Sequence, residues 1–448
     1  MSDAHCAVLT GIRNMSDPKN VKIVLELDGD AEVKDFILRD PARLVVDLSG
    51  VDSPLVPYTA ACGDTLLTGI RASRFSEGTV RVVLDVAHLM PYFVKKTHGG
   101  VEIYVRRSVA EEHQSQQLAR GMVYTRAVEM HDWGILTYHI VEVDLRRGGY
   151  RVGMETAEGA LGALETLSSV MKRTGALLGV NGGYFDMKTG MPIDMLISEG
   201  VPLTLPDRYR GFLGIGADGS VNFLHPTAGM NLDCGGGESL YVHSLNRAPD
   251  AMERAVFTAA YGANERPDGK RTEYVVRGGV VREVRAAGGA IPADGFVLSV
   301  NEGAVYCGGG QVRAGSALKQ VFTSYPDLSG IRYGFSAGPM LVENGNARHG
   351  IIEDFSMQSK IVSERNPRTA IGLNNDNNLF IIVVEGRSVW SAGLYLDELA
   401  ELMAANGVRT GMNLDGGGSS EIIFNGRILN RLSEGKERPI NNAVLIFN

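Results

Sequence analysis

The sequence predicts a sheet-rich α/β (α+β) domain preceded by a small all-β sandwich. Three observations carry that expectation. Residues 5–107 alternate apolar and polar positions in short runs rich in β-branched side chains, the period of a half-buried strand. A polar, aperiodic stretch at 108–120 then interrupts the pattern. Beyond it, helical spacing followed by a short apolar strand occurs twice. A chain of 448 residues is also too long for one ordinary domain. Its 56 glycines fit loop-rich sheets without collagen-like periodicity.

In the first domain the strands are Val21-Lys22-Ile23-Val24-Leu25-Glu26-Leu27, Arg43-Leu44-Val45-Val46-Asp47-Leu48, Val80-Arg81-Val82-Val83-Leu84-Asp85-Val86 and Val101-Glu102-Ile103-Tyr104-Val105. Turn residues at Asp28-Gly29-Asp30, Asp40-Pro41 and Glu77-Gly78 separate them. Strands with one apolar face each pack as a sandwich. The segment is internally doubled, because Gly11-Ile12-Arg13 ahead of one strand recurs as Gly69-Ile70-Arg71 ahead of another. Residues 108–120 read as a linker, and the second domain runs over 121–448.

In the second domain, Ala163 to Thr174 carries Leu164, Leu167 and Met171 on one helical face, with Gly175 as its stop. Ala176-Leu177-Leu178-Gly179-Val180 is then a buried strand that delivers Asn181-Gly182-Gly183-Tyr184-Phe185-Asp186. Near the C-terminus, Ser391 to Asn406 carries Tyr395, Leu399, Leu402 and Met403, with Gly407 as its stop. The strand Gly411 to Leu414 delivers Asp415-Gly416-Gly417-Gly418-Ser419-Ser420. Ligands of open α/β sheets sit at the carboxyl ends of strands, so Asn181 and Asp415 are expected to face one cleft. Glycine-rich turns leave backbone N–H groups bare and form concavities for anions. Arg368 stands just before a hairpin of two strands, Ala370 to Leu373 and Leu379 to Val384, where a guanidinium can pair with phosphate or carboxylate.

Composition excludes several classes. A net charge of −8 with no long basic block argues against nucleic acid as a partner. No apolar run approaches the ~18 to 20 residues of a transmembrane segment. Met1-Ser2-Asp3-Ala4-His5 has neither a basic nor an apolar leader region, so no signal peptide is read there. The cysteines Cys6, Cys62, Cys234 and Cys307 show no CxxC spacing, and the histidines no HExxH. Cys6 and Cys62 share one region and can pair in an oxidising compartment; free thiols are the alternative.

Asp40-Pro41-Ala42-Arg43-Leu44-Val45-Val46-Asp47-Leu48-Ser49-Gly50 and the two Ile-Arg strand leads resemble the AMIN domain, a β-sandwich module of bacterial cell-envelope proteins. The resemblance implies an extracytoplasmic location, in the periplasm or cell wall, and a first domain that targets a wall polymer. A spacer without a ligand is the alternative.

Across 121–448 a second resemblance runs through Asn181-Gly182-Gly183-Tyr184-Phe185, His243-Ser244-Leu245-Asn246-Arg247, Ile291-Pro292-Ala293-Asp294-Gly295-Phe296 and Ala337-Gly338-Pro339. It continues through Arg368-Thr369-Ala370-Ile371-Gly372, Glu385-Gly386-Arg387, Leu414 to Ser420, and Arg438-Pro439. In order and spacing these are similar to the phosphodiester glycosidase family, which includes the enzyme that uncovers the mannose 6-phosphate tag of lysosomal proteins. The resemblance implies a hydrolase of glycoside hydrolase type. It would cleave a sugar-1-phosphodiester at the glycosyl C1–O bond, here on an envelope or exopolymer glycan. The partner is then a glycosyl phosphodiester or cell-wall polymer. No cofactor is required, and a divalent cation is allowed.

The chemistry implied gives Asp415 the role of key carboxylate, with Asp186 second. Arg368 and the amides of Gly182, Gly183, Gly416 and Gly417 would take the phosphate charge. Asn181, Ser419 and Ser420 would hold sugar hydroxyls or phosphate oxygens, and Asn246 and Arg438 are outer contacts. Among the other carboxylates, Asp194, Glu199, Glu385 and Glu421, no spacing assigns an acid–base partner, and Glu385 and Glu421 read as solvent-facing strand residues. Two other readings stand beside this one: a non-catalytic cell-wall or glycan-binding protein, and a metal-dependent phosphodiesterase cutting P–O.

Overall fold

The computed structural model describes residues 6–248, 254–262, 271–301, 303–350, 353, 355 and 359–448. The N-terminal domain is two five-stranded sheets. One runs Val51–Asp52, Ala7–Asn14, Asn20–Leu27, Gly100–Arg106, Tyr92–Thr97; the other Glu32–Leu38, Arg43–Ser49, Thr79–Val86, Leu67–Ser76, Tyr58–Ala61. Asn20–Leu27 and Thr79–Val86 bury every second residue, as their alternation demands. Val21, Ile23 and Leu25 of the first sheet share one core with Val80, Val82 and Leu84 of the second. The same core takes in Val128 and Ile135 from the second domain.

The second domain is mostly β. Its largest sheet has eight strands in the order Glu112–Ala119, Met122–His131, Gly134–Val143, Leu379–Val384, Arg368–Leu373, Thr410–Asn413, Met340–Glu343, Asn346–Ala347. A five-stranded sheet packs on it, in the order Arg151–Thr156, Asn442–Phe447, Leu178–Asn181, Ile422–Phe424, Arg427–Ile428. Between them lie Val141, Ile371, Ile381, Val383 and Met412 from one sheet and Leu178, Val180, Ile422, Val444 and Ile446 from the other. The helix Leu396–Ala405 covers the outer face of the first sheet through Leu399 and Met403 against Ala370, Ile382 and Val384. The helix Leu167–Thr174 covers the outer face of the second through Val170 and Met171. Leu379–Val384 is therefore buried on both faces, which is why it reads as an unbroken apolar run.

Several expectations are corrected here. The pairings within both of these sheets are antiparallel, so the helices are outer covers and not crossovers between parallel strands. Residues 112–119, read as linker, form an exposed edge strand; an edge strand keeps a polar, charged sequence because it faces water. The first helix begins at Leu167 behind a Thr166 cap, and Leu164 lies outside it and exposed. Gly175 ends it in the left-handed conformation, as expected.

Residues 227–325 build an insert of further sheets with its own core, including Leu232, Tyr274, Val276 and Leu298. A disulfide joins Cys234 to Cys307 across 73 residues of separation, whereas Cys6 and Cys62 are free. Nearness in sequence misled the pairing: Cys234 and Cys307 meet because their strands converge, with Cα atoms 5.9 Å apart. Cys234→Ser is expected to cost the insert about 4 kcal/mol, by the loop entropy that the bridge removes from the unfolded chain. Thermal melts with and without reductant check this, and an unchanged transition would show the bridge adds nothing. Among the described residues no helix is long and apolar enough to cross a membrane.

Candidate active site

Antiparallel pairing gathers unlike strand ends at one edge. Arg368 opposes Val384, Ala370 opposes Asn413, and Asn181 opposes Ala443. The start of one strand and the ends of three others thus deliver Arg368, Glu385, Asp415 and Asn181 to the same rim.

Asn181 and Asp415 meet, but through hydrogen bonds to main chain and not as two side chains facing one cleft. Asn181 Nδ2 donates to the Asp415 carbonyl at 2.6 Å, and the Asp415 N–H donates to the Gly182 carbonyl at 3.0 Å. Asn181 Oδ1 accepts from Thr369 Oγ1 at 2.8 Å and from the Glu421 N–H at 3.3 Å. Asn181 is 1% exposed, so it is the clasp that holds the loop to both sheets and does not line the recess.

The loop itself is one tight turn over Gly417–Ser419, with Gly417 at φ 64°. A Cβ on Gly418 would overlap the Arg438 guanidinium and Glu434, and one on Gly417 would lie 3.0 Å from Arg387 Nη2. Arg387 and Arg438 therefore lie directly on the glycines. Both cations act on the Asp415 carboxylate, which also accepts the Gly416 N–H at 2.9 Å and faces the Ser419 hydroxyl. Burial is the largest influence and pushes the Asp415 carboxyl up to about 6 against these stabilising groups. Arg438 is ion-paired with Glu434, and Arg387 Nη2 donates to the neutral amide oxygen of Asn366 at 2.9 Å.

Beside the Ser419 hydroxyl, which faces the Asp415 carboxylate, three buried polar atoms in this stretch have no hydrogen-bond partner among the described residues: Asn413 Oδ1, Ser420 Oγ and Glu421 Oε1. Buried polar groups are normally satisfied, so a cluster of unsatisfied ones beside a carboxylate is a place built for a polar ligand. Glu421 is 3% exposed; burial first, and Glu437 opposite second, push its carboxyl up to about 8. Glu437 is tied down by the Ser168 N–H at 2.9 Å and the Ser168 hydroxyl at 2.6 Å.

Other expected residues go elsewhere. Arg368 is 2% exposed, and its guanidinium donates to three main-chain carbonyls, Leu394 at 2.8 Å, Ile361 at 2.8 Å and Glu364 at 3.0 Å. Burial lowers it to about 10. It ties the loop before its strand to the start of a helix, and its side chain is not offered to a phosphate. The amides of Gly182 and Gly183 are not free either: they donate to the Asn442 carbonyl at 2.9 Å and Oδ1 at 2.8 Å. The Gly417 N–H donates to Pro367, and that of Gly416 to Asp415 itself. These glycines serve close packing, since a Cβ at Gly183 would sit 2.7 Å from Phe335.

Asp186 is exposed and caps its own turn, accepting the N–H groups of Lys188 and Thr189, which hold it below the usual carboxylate range. Asn246 is buried and ties Leu203 to Thr258. Asp186 lines a different cavity, of about 360 Å³, which also takes in Asp194, Asp207, Arg208 and Arg247. Tyr184 stands between: its hydroxyl accepts from Asn413 Nδ2 at 2.8 Å, and its ring faces Arg210 at 5.6 Å. Glu385 is buried, not solvent-facing, and accepts from His139 at 2.9 Å and the Arg431 N–H at 2.8 Å. Among the described residues no group of three or more His, Cys, Asp or Glu gathers as a metal site would.

Sequence reasoning missed Arg387 and Glu421. Arg387 was visible as the last residue of Glu385-Gly386-Arg387, but nothing there announces its left-handed φ of 59°. Glu421 looks like a strand residue because Ile422–Phe424 follows it.

Residues 270–447 match the phosphodiester glycosidase family model, and residues 11–115 match the AMIN domain. The first match is shorter than the 121–448 span read from the sequence and begins after Asn181. The SPbeta prophage-derived protein YomE of Bacillus subtilis is 32% identical over 117 residues, 26% of this chain and 18% of its own length. The mouse N-acetylglucosamine-1-phosphodiester alpha-N-acetylglucosaminidase is 36% identical over 70 residues, 16% of this chain and 13% of its own. The matched segments thus cover less than a fifth of either curated relative. A hypothetical protein from Synechocystis shares the fold, with a TM-score of 0.68 at 21% identity over 98% of this chain and 80% of that one. The chain joins an AMIN domain to a phosphodiester glycosidase domain, and the recess around Asp415 lies in the latter.

Proposed function

We propose that the chain hydrolyses a sugar-1-phosphodiester at the glycosyl C1–O bond, on an envelope or exopolymer glycan. The observation that carries the reading is the Asp415 carboxylate, set under two guanidiniums, facing the Ser419 hydroxyl and close in the chain to the buried, unpartnered Ser420 hydroxyl. A phosphate leaving group needs charge stabilisation more than a proton, and Arg387 and Arg438 supply it. The anomeric carbon gains oxocarbenium character as C1–O breaks, and the bonding electrons leave with the phosphate oxygen. Asp415 meets that carbon's positive charge, as nucleophile or as base toward water. Ser419, Ser420 and Asn413 take sugar hydroxyls, and Glu421, neutral at pH 7, donates to one. The AMIN match and the Cys234–Cys307 bridge support an oxidising, extracytoplasmic setting.

Turnover of a chromogenic sugar-phosphodiester panel in ¹⁸O-water tests the reading. Label in the sugar supports it; label in the phosphate sinks it in favour of P–O cleavage. The pH profile adds a second check. Asp415 must be ionised, so kcat/KM rises through about 6. Glu421 must keep its proton, so kcat/KM falls through about 8. Glu421→Gln keeps a donor and is expected to remove the falling limb; a limb unchanged in that variant assigns it to another group.

A further inference from the structure

The insert meets the main fold at the cavity of about 360 Å³ that Asp186 lines. One wall comes from residues 186–210, and the other from Ser244, Leu245, Arg247, Ala248 and Tyr261 of the insert. Asn246 fixes the joint between them. It is fully buried, donates to the Leu203 carbonyl at 2.9 Å and accepts the Thr258 N–H at 2.7 Å. A second tie, next to Tyr261, is the Leu161 N–H on the Ala260 carbonyl at 2.9 Å. The approach there is close, since a Cβ on Gly262 would lie 2.4 Å from the Ala160 Cβ. The two walls are thus held at a fixed spacing with a space left between them.

The space is lined by charge. Asp186, Asp194 and Asp207 stand with Arg208, Arg210 and Arg247 around it. The Asp194 side chain is 0% exposed and pairs with Arg210 Nε at 3.0 Å. Its Oδ1 accepts the Asp207 N–H at 3.3 Å, and Asp207 pairs in turn with Arg247. Asp194 holds a φ of 65°, so the fold bears backbone strain where this carboxyl enters the wall. Burial first, and Asp207 second, push the Asp194 carboxyl up. Against its own burial, the Asp194 hydrogen bond and the Arg247 charge hold Asp207 low. The pair shares one proton and so presents both an O–H and an O⁻.

The lining defines its ligand. Three acids set against three guanidiniums leave little excess charge, which favours neither a phosphate nor an ammonium ion. Among the described residues no three acidic side chains gather closely enough to hold a metal ion. Acceptors and donors are both present, and a hydroxyl uses both, since it donates once and accepts twice. Ile193, Leu205, Leu245 and Tyr261 add apolar surface to the same space. A ring with hydroxyls on its edge and C–H groups on its faces meets both kinds of wall, whereas a purely apolar ligand would leave the charges desolvated and unmet. The volume lies at the small end of the roughly 300 to 1,000 Å³ of small-molecule sites, which suits one ring and not a polymer segment.

We propose that this cavity is a second sugar-binding site, which takes one neutral pyranose ring, free or at the end of a glycan. The acids and guanidiniums hold its hydroxyls, and Leu205 and Tyr261 lie against its face. The insert then serves to close a sugar site, with Tyr184 between that site and the Asp415 recess. The inference stands apart from the phosphodiester reading, because binding here needs no bond to break.

The test is calorimetry on the full chain with methyl pyranosides of N-acetylglucosamine, glucose, mannose and galactose. At least one is expected to bind with a Kd of about 1 mM or tighter. Asp207 and Arg247 are more than a third exposed, so Asp207→Ala and Arg247→Ala are expected to fold, as melting curves will check. Each should weaken the bound sugar about tenfold or more, as loss of a hydrogen bond to a charged group does. Asp415→Asn should leave the Kd within about twofold, because that carboxylate lies outside the cavity. No binding of any pyranoside at about 10 mM, or a Kd unchanged by both cavity variants, overturns the inference. So does a Kd lost in Asp415→Asn and kept in Asp207→Ala, which would put the sugar in the recess. Tighter binding of inorganic phosphate or glycine, weakened by the same two variants, would assign the cavity to a charged ligand and overturn it as well. A tetrasaccharide that binds more tightly than its own unit identifies a glycan end as the ligand, and equal binding identifies the single ring. Should the wild type turn over no phosphodiester, each of these outcomes keeps its meaning.

Discussion

Asp415→Asn lowers turnover of a sugar phosphodiester by about 10²- to 10⁴-fold and at the same time stabilises the fold at neutral pH. Both results follow from one fact. The carboxyl is raised from its ordinary 3.8 to about 6, with burial as the largest cause, so the folded protein holds the charged form at a cost. The sign is set by linkage. Below 3.8 the group is protonated folded and unfolded, and the native state carries no penalty. As pH rises through about 6, the native carboxyl must ionise and that advantage is lost. Removing the charge is therefore expected to raise stability by about 1–3 kcal/mol at pH 7.5 and by nothing at pH 3.5. Denaturant melts of the two proteins at both values check this. A variant that is inactive and also less stable at pH 7.5 would show that Asp415 holds the loop together and does no chemistry.

Arg387→Ala and Arg368→Ala are expected to fail in opposite ways. Arg387 lies on Gly417, faces Asp415 and donates to a single amide oxygen. Its loss should lower kcat/KM by about 10²-fold or more and cost only about 1 kcal/mol of stability. Arg368 is buried, with three carbonyls on its guanidinium. Its loss takes a donor from all three, of which Leu394 and Glu364 keep only the Asn366 N–H and Nδ2 at 3.2 Å, and should cost about 3 kcal/mol or more. Any fall in activity should then track the folded fraction. Melting curves beside kinetics on the folded fraction separate the two. A stable, inactive Arg368→Ala would return the phosphate role to Arg368.

What was legible depended on what one dimension records. Val21, Ile23 and Leu25 announced a half-buried strand because side-chain alternation is a local property. The Asp415 loop stood out because three consecutive glycines seldom lack a backbone reason, and here two of them carry arginines on their bare faces. The Asn181 and Asp415 loops were matched through their shared build, and they meet. Other features depended on direction in space. An arginine before a strand looks the same whether it points at solvent, as a ligand for phosphate, or inward to three carbonyls, as Arg368 does. Asp186 was chosen for its nearness to Asn181, but its carboxylate closes its own turn. Gln114, Ser115 and Gln116 looked like linker because an edge strand and a linker both face water. Glu421 was passed over because its burial comes from Asn181 and Glu437, which are distant in sequence.

The strand Asn442–Phe447 lies inside its sheet, between Arg151–Thr156 and Leu178–Asn181. Asn442 also holds the amides of Gly182 and Gly183 with its carbonyl and its side chain. Translation makes this strand some 290 residues after its partner at Arg151–Thr156. A nascent chain therefore cannot close the sheet or set the Asn181 clasp until nearly everything before it has been made. The recess therefore forms only after the first domain and the other strands of its own sheet have been made, so any truncation before Asn442 would leave the Asn181 clasp open.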